Sequence, residues 1–186
     1  MPVSWSMLHQ IITVTPSVLP SQYEATMVAA MFSLMFHAFL RVGEVTASPH
    51  NLDVNNVIIT GSSVSITFIS FKHHHGRPVT LNFSATNNMV CPVRCLRAFF
   101  QYRGTATGPV FKWLDGRPIS SAYFTKALQN CVSRNPNCKA ITPHSFRIGA
   151  ASYAAASGKS GEQIQAMGRW KSDAFLKYIR IPSFNL

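Results

Sequence analysis

The last third of the chain gathers residue types that can act on a phosphate ester. Thr142-Pro143-His144-Ser145-Phe146-Arg147 comes first, then Gly168-Arg169-Trp170, then Lys177-Tyr178-Ile179-Arg180. Only the Tyr178 phenol is a plausible nucleophile here. Its neighbours are cationic donors rather than carboxylates. Guanidinium forks match phosphate oxygens in a bidentate way, and a phenol can attack phosphorus. Three helices must position these groups. Thr142 is a good N-cap and Pro143 suits the first helical position. The helix that follows carries His144 and Arg147 three residues apart, on one face. Ser160 with Gln163 makes a capping-box pattern for a second, short helix. Ser172 caps a third, Asp173 to about Arg180, which holds Tyr178.

Two stretches in the first half extend the set. Phe39-Leu40-Arg41-Val42-Gly43-Glu44-Val45 places Arg41 three residues before an acid, Glu44. A desolvated arginine wants such a partner; a solvated surface pair is the plain alternative. Ahead of it, Tyr23 to about Leu40 reads as a helix capped by Ser21, apolar almost all round and therefore buried. A membrane span needs about 20 apolar residues, and this run is broken by Ser33 and His37. Asn56–Thr60, Ser63–Phe71 and Pro78–Phe83 are rich in Val, Ile, Thr and Phe and read as strands. Phe71-Lys72-His73-His74-His75-Gly76-Arg77 is then a hairpin tip between the second and third strands. Adjacent histidines on a strand alternate faces, which suits phosphate contact better than one shared metal ion.

Val93–Arg103 and Ser120 or Ser121 to about Arg134 read as further helices, and Asn135-Pro136-Asn137 breaks the chain before the His144 helix. Met1–Gln22, with three prolines, reads as a lead-in. No linker divides the 186 residues, so one domain is expected. The expected fold class is α+β, mostly helical with a small antiparallel β-sheet. Lys+Arg number 17 against 6 Asp+Glu, a formal charge of +11 that favours a polyanion partner. Cys91, Cys95, Cys131 and Cys138 lack the spacing of a zinc module. The start, Met1-Pro2-Val3-Ser4-Trp5, has no charged n-region, so an intracellular chain with reduced thiols is expected.

Arg41, Lys72, the His144-x-x-Arg147 pair, Arg169-Trp170 and Tyr178, in that order, resemble the catalytic set of the tyrosine recombinase (phage integrase) family. Gly168-Arg169-Trp170-Lys171-Ser172-Asp173-Ala174-Phe175 is most similar in pattern to recombinases of eukaryotic mobile elements of the Crypton and DIRS type. The resemblance covers about Gln22 to Arg180. It implies DNA strand cleavage and rejoining through a 3′-phosphotyrosyl link made by Tyr178. Arg41 and Arg147 would clamp the phosphate, His144 would move a proton, Lys72 would protonate the leaving oxygen, and Glu44 would support the site. The family's His/Trp position falls on Arg169 by gapless spacing and on Trp170 by residue type; Trp170 is the expectation and Arg169 the alternative. Arg77, Arg169, Lys171 and Arg180 are the expected DNA contacts.

The implied partner is double-stranded DNA, with a homo-oligomer (a tetramer on DNA) as the assembly and the nucleus as the location in a eukaryote. No cofactor is implied, neither ATP nor metal, and neither a membrane nor a small-molecule substrate is expected. The family's separate DNA-clamping domain is expected to be absent, with residues 1–21 in its place, and too few residues follow Tyr178 for the C-terminal helix that many relatives hand to a neighbour. Two other readings stand beside this one. The first is a catalytically silent DNA-binding remnant of a mobile element. The second is a type IB topoisomerase-like enzyme, against which the Arg-Trp motif and the small size argue.

Overall fold

The structure, a computed structural model, describes residues 1–71, 77–133 and 140–180. At its centre lies α3 (Gln22–His37), in which Met27, Val28, Met31, Phe32, Leu34 and Met35 are all fully buried. A helix apolar on every side has no solvent face and must be wrapped. Here α5 (Pro92–Arg103), α7 (Pro143–Ala156) and the N-terminal helices wrap it. Ser21 starts α3 by accepting the Glu24 N–H at 3.2 Å, as its type predicts. Phe32 stacks on Phe146 of α7, ring centroids 5.3 Å apart. It also meets Phe124 of α6 (Ser121–Val132) edge-on at 5.6 Å.

The first residues are ordered more regularly than their prolines suggest. Ser4 accepts the Met7 N–H at 3.1 Å and starts α1 (Trp5–Thr13), whose Leu8, Ile11 and Ile12 join the main core. Pro16 sits in the first turn of α2 (Thr15–Val18), where a missing N–H costs nothing. Read from sequence as part of a loose lead-in, this proline in fact opens a helix.

Three antiparallel strands follow in the order β1 (Val57–Ile59), β2 (Ser63–Phe68), β3 (Val79–Ser84). Ile58 pairs with Ser65, and Ile66 with Leu81. Val64, Ile66 and Phe68 face the core while Ser63, Ser65 and Thr67 alternate to the other side, the two-residue period of a strand. The second strand ends at Phe68, short of the expected Phe71, and Asn56 belongs to a 3-10 turn (Val54–Asn56). The result is the expected α+β class, mostly helical with one small antiparallel sheet. Lys72, the three histidines of the hairpin tip, Cys138 and the predicted end of α6 at Arg134 lie outside the described residues. Among the described residues, no helix is long and apolar enough to cross a membrane, and no His, Cys, Asp and Glu cluster could hold a metal ion.

At the end of α5, Arg103 turns back into the protein. Its buried guanidinium donates to the carbonyls of Gly104, Ala106, Gly108, Pro109 and Val110, at 2.7–3.4 Å. One side chain thereby satisfies the backbone of a whole loop. The last helices are α8 (Gly161–Gly168), capped by Ser160 as its sequence predicts, and a 3-10 turn, Asp173–Tyr178, where an α-helix to Arg180 was expected.

Candidate active site

Four segments carry the candidate residues. The first is the turn after α3. Phe39 has φ +53°, a left-handed conformation that is uncommon for a bulky residue, and it swings the chain into α4 (Val42–Val45). Arg41 is the N-cap of α4. Glu44, buried in the first turn, takes the Arg41 N–H on Oε2 at 2.7 Å. The Arg41 guanidinium is not the partner of Glu44, contrary to the expectation from their spacing. Its Nη1 is buried and has no hydrogen-bond partner among the described residues.

The second segment is the start of α7. Thr142 and Ser145 cap it reciprocally: the Thr142 N–H reaches Ser145 Oγ at 3.0 Å, and Pro143 occupies the first turn. This fixes His144 at the surface and Arg147 inside, 1% exposed. Arg147 donates from Nη1 to the Phe39 carbonyl and from Nη2 to the Gly168 carbonyl at 2.6 Å. Its Nε is a second orphaned donor among the described residues. Burial first, then the nearby Arg41 and Arg169 charges, lower the Arg147 pKa. The opposite side of α7 is closed by the N-terminus. A Cβ at Gly149 would overlap the Val3 carbonyl, and the Val3 N–H donates to the Ser145 carbonyl at 3.0 Å.

The third segment ends α8. Arg169 terminates the helix in the left-handed region (φ 55°, ψ 41°), a role glycine usually fills. Its side chain turns inward to Glu44, with Nη2 2.8 Å from Oε1. Arg169 therefore lies inside, paired, and not on the surface where a DNA contact was expected. Trp170 folds back over Gly168, where any Cβ would overlap its six-membered ring. The indole lies under the Arg147 guanidinium, 4.1 Å from carbon to centroid, and meets Phe39 edge-on at 5.9 Å.

The fourth segment is the 3-10 turn that delivers Tyr178. Its ring is 5.2 Å from His144 and 5.2 Å from Trp170 by centroid, and 5.9 Å from the Arg147 guanidinium carbon. Ser152 Oγ donates to the Tyr178 carbonyl at 3.2 Å and accepts the Arg180 N–H at 2.8 Å. It thus pins the tyrosine to α7. Nothing in the sequence singled out Ser152; a serine set among the alanines of α7 is the hint it offers. Burial, with the Arg147 and Arg41 charges, lowers the His144 pKa, so its imidazole stays neutral below the usual range.

The cleft between these segments holds about 410 Å³ and is lined by Arg41, Phe71, Arg169, Trp170, Lys171 and Tyr178. Three guanidinium groups stand near one carboxylate, which among the described residues pairs with Arg169 alone, so the site is strongly positive. Lys171 is exposed at the cleft and Arg77 is exposed ahead of β3. Arg180 is exposed too, but its guanidinium donates to the Lys177 and Ile179 carbonyls. Lys72 falls outside the described residues. Arg41, His144, Arg147, Trp170 and Tyr178, far apart in sequence, are brought together. Such a set can bind an anionic tetrahedral or trigonal-bipyramidal centre next to a phenol.

The fold is that of the tyrosine recombinase catalytic domain. XerA recombinase superposes on the chain with a TM-score of 0.72 at 17% identity, over 98% of this chain and 61% of that one. XerH site-specific recombinase, in a pre-cleavage complex with its difH substrate, gives 0.71 at 11% identity, over 97% and 50%. The Tn1549 transposon integrase in complex with transposon right end DNA gives 0.62 at 15% identity, over 99% and 62%. The chain thus spans about half to three-fifths of the length of these structures. No protein-family model and no curated protein matches the sequence.

Proposed function

We propose that this chain cleaves and rejoins double-stranded DNA through a covalent phosphotyrosine. One observation carries the reading: Arg41, Trp170 and Tyr178 line one positive cleft, with Arg147 packed on Trp170 and His144 on Tyr178, five residues from four segments. Tyr178 Oη attacks the scissile phosphorus, and the P–O bond to the 5′-oxygen breaks. The tyrosine proton passes to His144, whose neutral imidazole can accept it. Lys72 gives a proton to the departing 5′-oxygen. Arg41 and Arg147 hold the non-bridging oxygens, where charge accumulates in the transition state. Attack by a second 5′-hydroxyl reverses the sequence, so the energy of the phosphoester bond is kept.

Trp170 takes the family's His/Trp position in this reading, because its ring backs both Arg147 and Tyr178 while Arg169 is committed to Glu44. Lys171 and Arg77 meet the DNA backbone, and Arg180 joins them once released from its carbonyls. The Gly168–Phe175 sequence supports kinship with recombinases of Crypton- and DIRS-type elements, working as a homo-oligomer on DNA in the nucleus.

The test is covalent trapping on a duplex nicked beside the cleavage site. A protein–DNA band that survives denaturation is expected, and Tyr178→Phe abolishes it while DNA affinity is unchanged. Arg147→Ala slows its formation by about 10²–10³-fold. Absence of any band with the unaltered protein, despite salt-sensitive DNA binding, would leave a silent DNA-binding module.

A further inference from the structure

Arg169 lines the positive cleft, yet its charge is committed to a buried carboxylate. Its side chain is 1% exposed, and that of its partner Glu44 is 3% exposed. The guanidinium makes three kinds of contact at once. Nη2 meets Glu44 Oε1 at 2.8 Å, Nη1 donates to the Ala38 carbonyl at 3.1 Å, and the plane lies over the Phe68 ring at 3.9 Å. To reach a phosphate it would have to abandon a buried carboxylate, a costly step.

The other carboxylate oxygen of Glu44 holds the backbone N–H of Arg41. Arg169 takes the carbonyl of Ala38, and Arg147 takes that of the next residue, Phe39. Arg147 also grips the carbonyl of Gly168, the residue beside Arg169. The two arginines therefore clasp consecutive carbonyls of the turn that leads to Arg41, and Glu44 closes the ring. The left-handed backbone at Arg169 is disfavoured for a residue with a Cβ, and glycine there would relieve it but lose every one of these contacts.

We propose that Arg169 is a positioning residue: acting through Glu44 and the Ala38 carbonyl, it fixes the backbone of Arg41 and so the place of that arginine at the cleft. This rests on the phosphoryl-transfer reading of the same site. Lysine cannot replace it, because a compact ammonium lacks the flat fork that bonds two acceptors while stacking on a ring.

Two measurements test it together. The first is single-turnover adduct formation on the nicked duplex. Arg169→Lys and Glu44→Gln each slow it by about tenfold or more, with duplex affinity changed less than about twofold. In an Arg41→Ala background the same substitutions add less than about twofold, because their target is gone. A direct phosphate ligand, or a general loss of folding, would instead multiply with Arg41→Ala, and that result overturns the proposal. The second is hydrogen exchange of the Arg41 amide without DNA. Its protection drops about tenfold or more in Arg169→Lys if the brace exists; unchanged protection overturns it. Should the unaltered protein form no adduct, the recombinase reading fails while the exchange result still decides the brace.

Discussion

Gly168→Ala is the smallest change that dismantles the site. The added methyl falls where the six-membered ring of Trp170 lies, so the ring must leave its bed. Trp170 then loses its place under Arg147, a cation–π contact of about 2 kcal/mol in a desolvated setting. Its contacts with Phe39 and Phe175 go too, at about 0.5–1.5 kcal/mol each. Replacing a helical glycine by alanine returns about 0.5–1 kcal/mol. The balance is a loss of about 2–4 kcal/mol, or a fall in melting temperature of about 5–15 °C for a domain of this size. Urea unfolding followed by tryptophan fluorescence and circular dichroism reads it as a lower midpoint at unchanged slope. The sign should reverse in a Trp170→Ala background, where alanine at 168 meets no ring and its helix preference shows alone. If Gly168→Ala unfolds at the same urea concentration as the unaltered protein, or is equally harmful without Trp170, then the indole does not rest on Gly168 and the packing of the cleft floor is wrong.

Three further outcomes follow from the same geometry. Sulfate or vanadate should raise the melting temperature where matched chloride does not, because an oxyanion relieves the repulsion among three arginines that have one carboxylate near them; at 100 times the dissociation constant the gain is about 2.7 kcal/mol, and Arg147→Met should erase it. Since burial, and then the neighbouring Arg147 and Arg41, lower the His144 pKa, the imidazole remains a base as pH falls through its ordinary value near 6.5. The acid limb of the pH–cleavage profile should therefore lie below that pH, and a limb above it would contradict the assignment. Arg103→Met should cost about 3 kcal/mol or more, by stranding the carbonyls of the 104–110 loop that the guanidinium satisfies. Amide exchange should rise first in that loop, and an unchanged unfolding midpoint would refute its bracing role.

The helices that carry the site were legible because their starts are written locally. Thr142-Pro143, Ser160 with Gln163, Ser120 and Ser21 each name a cap within a few residues. The order of Arg41, His144, Arg147 and Tyr178 was legible for a different reason, since only cations beside a phenol make sense together. Partnerships across the fold were not. Glu44 stands three residues from Arg41 but pairs with Arg169, because three-residue spacing reports neighbours on a helix and Arg41 sits just outside one, as its cap. Left-handed backbone at Phe39 and Arg169 left no mark either, for neither residue type favours it. The prolines near the N-terminus misled, as a proline before a helix and one inside a loop look the same until the chain is folded. Arg169 or Trp170 could not be separated by counting residues; their opposite directions from one helix end separate them in space.

The bonds that complete the cleft join residues far apart along the chain. Arg147 reaches Phe39 across 108 positions, Arg169 reaches Glu44 across 125, and Arg169 reaches Ala38 across 131. Contacts of such range form slowly, because the loop they close must be ordered first. Synthesis from the N-terminus adds a stricter condition. The turn after α3 and Glu44 emerge early, and they wait for arginines that are made long afterwards. Until Arg169 is made, the Glu44 carboxylate has no cation to bury it with, and Tyr178 is added only after that. The set of residues proposed to act on a phosphate is thus complete only when the last of its segments, the one that carries Tyr178, has been made.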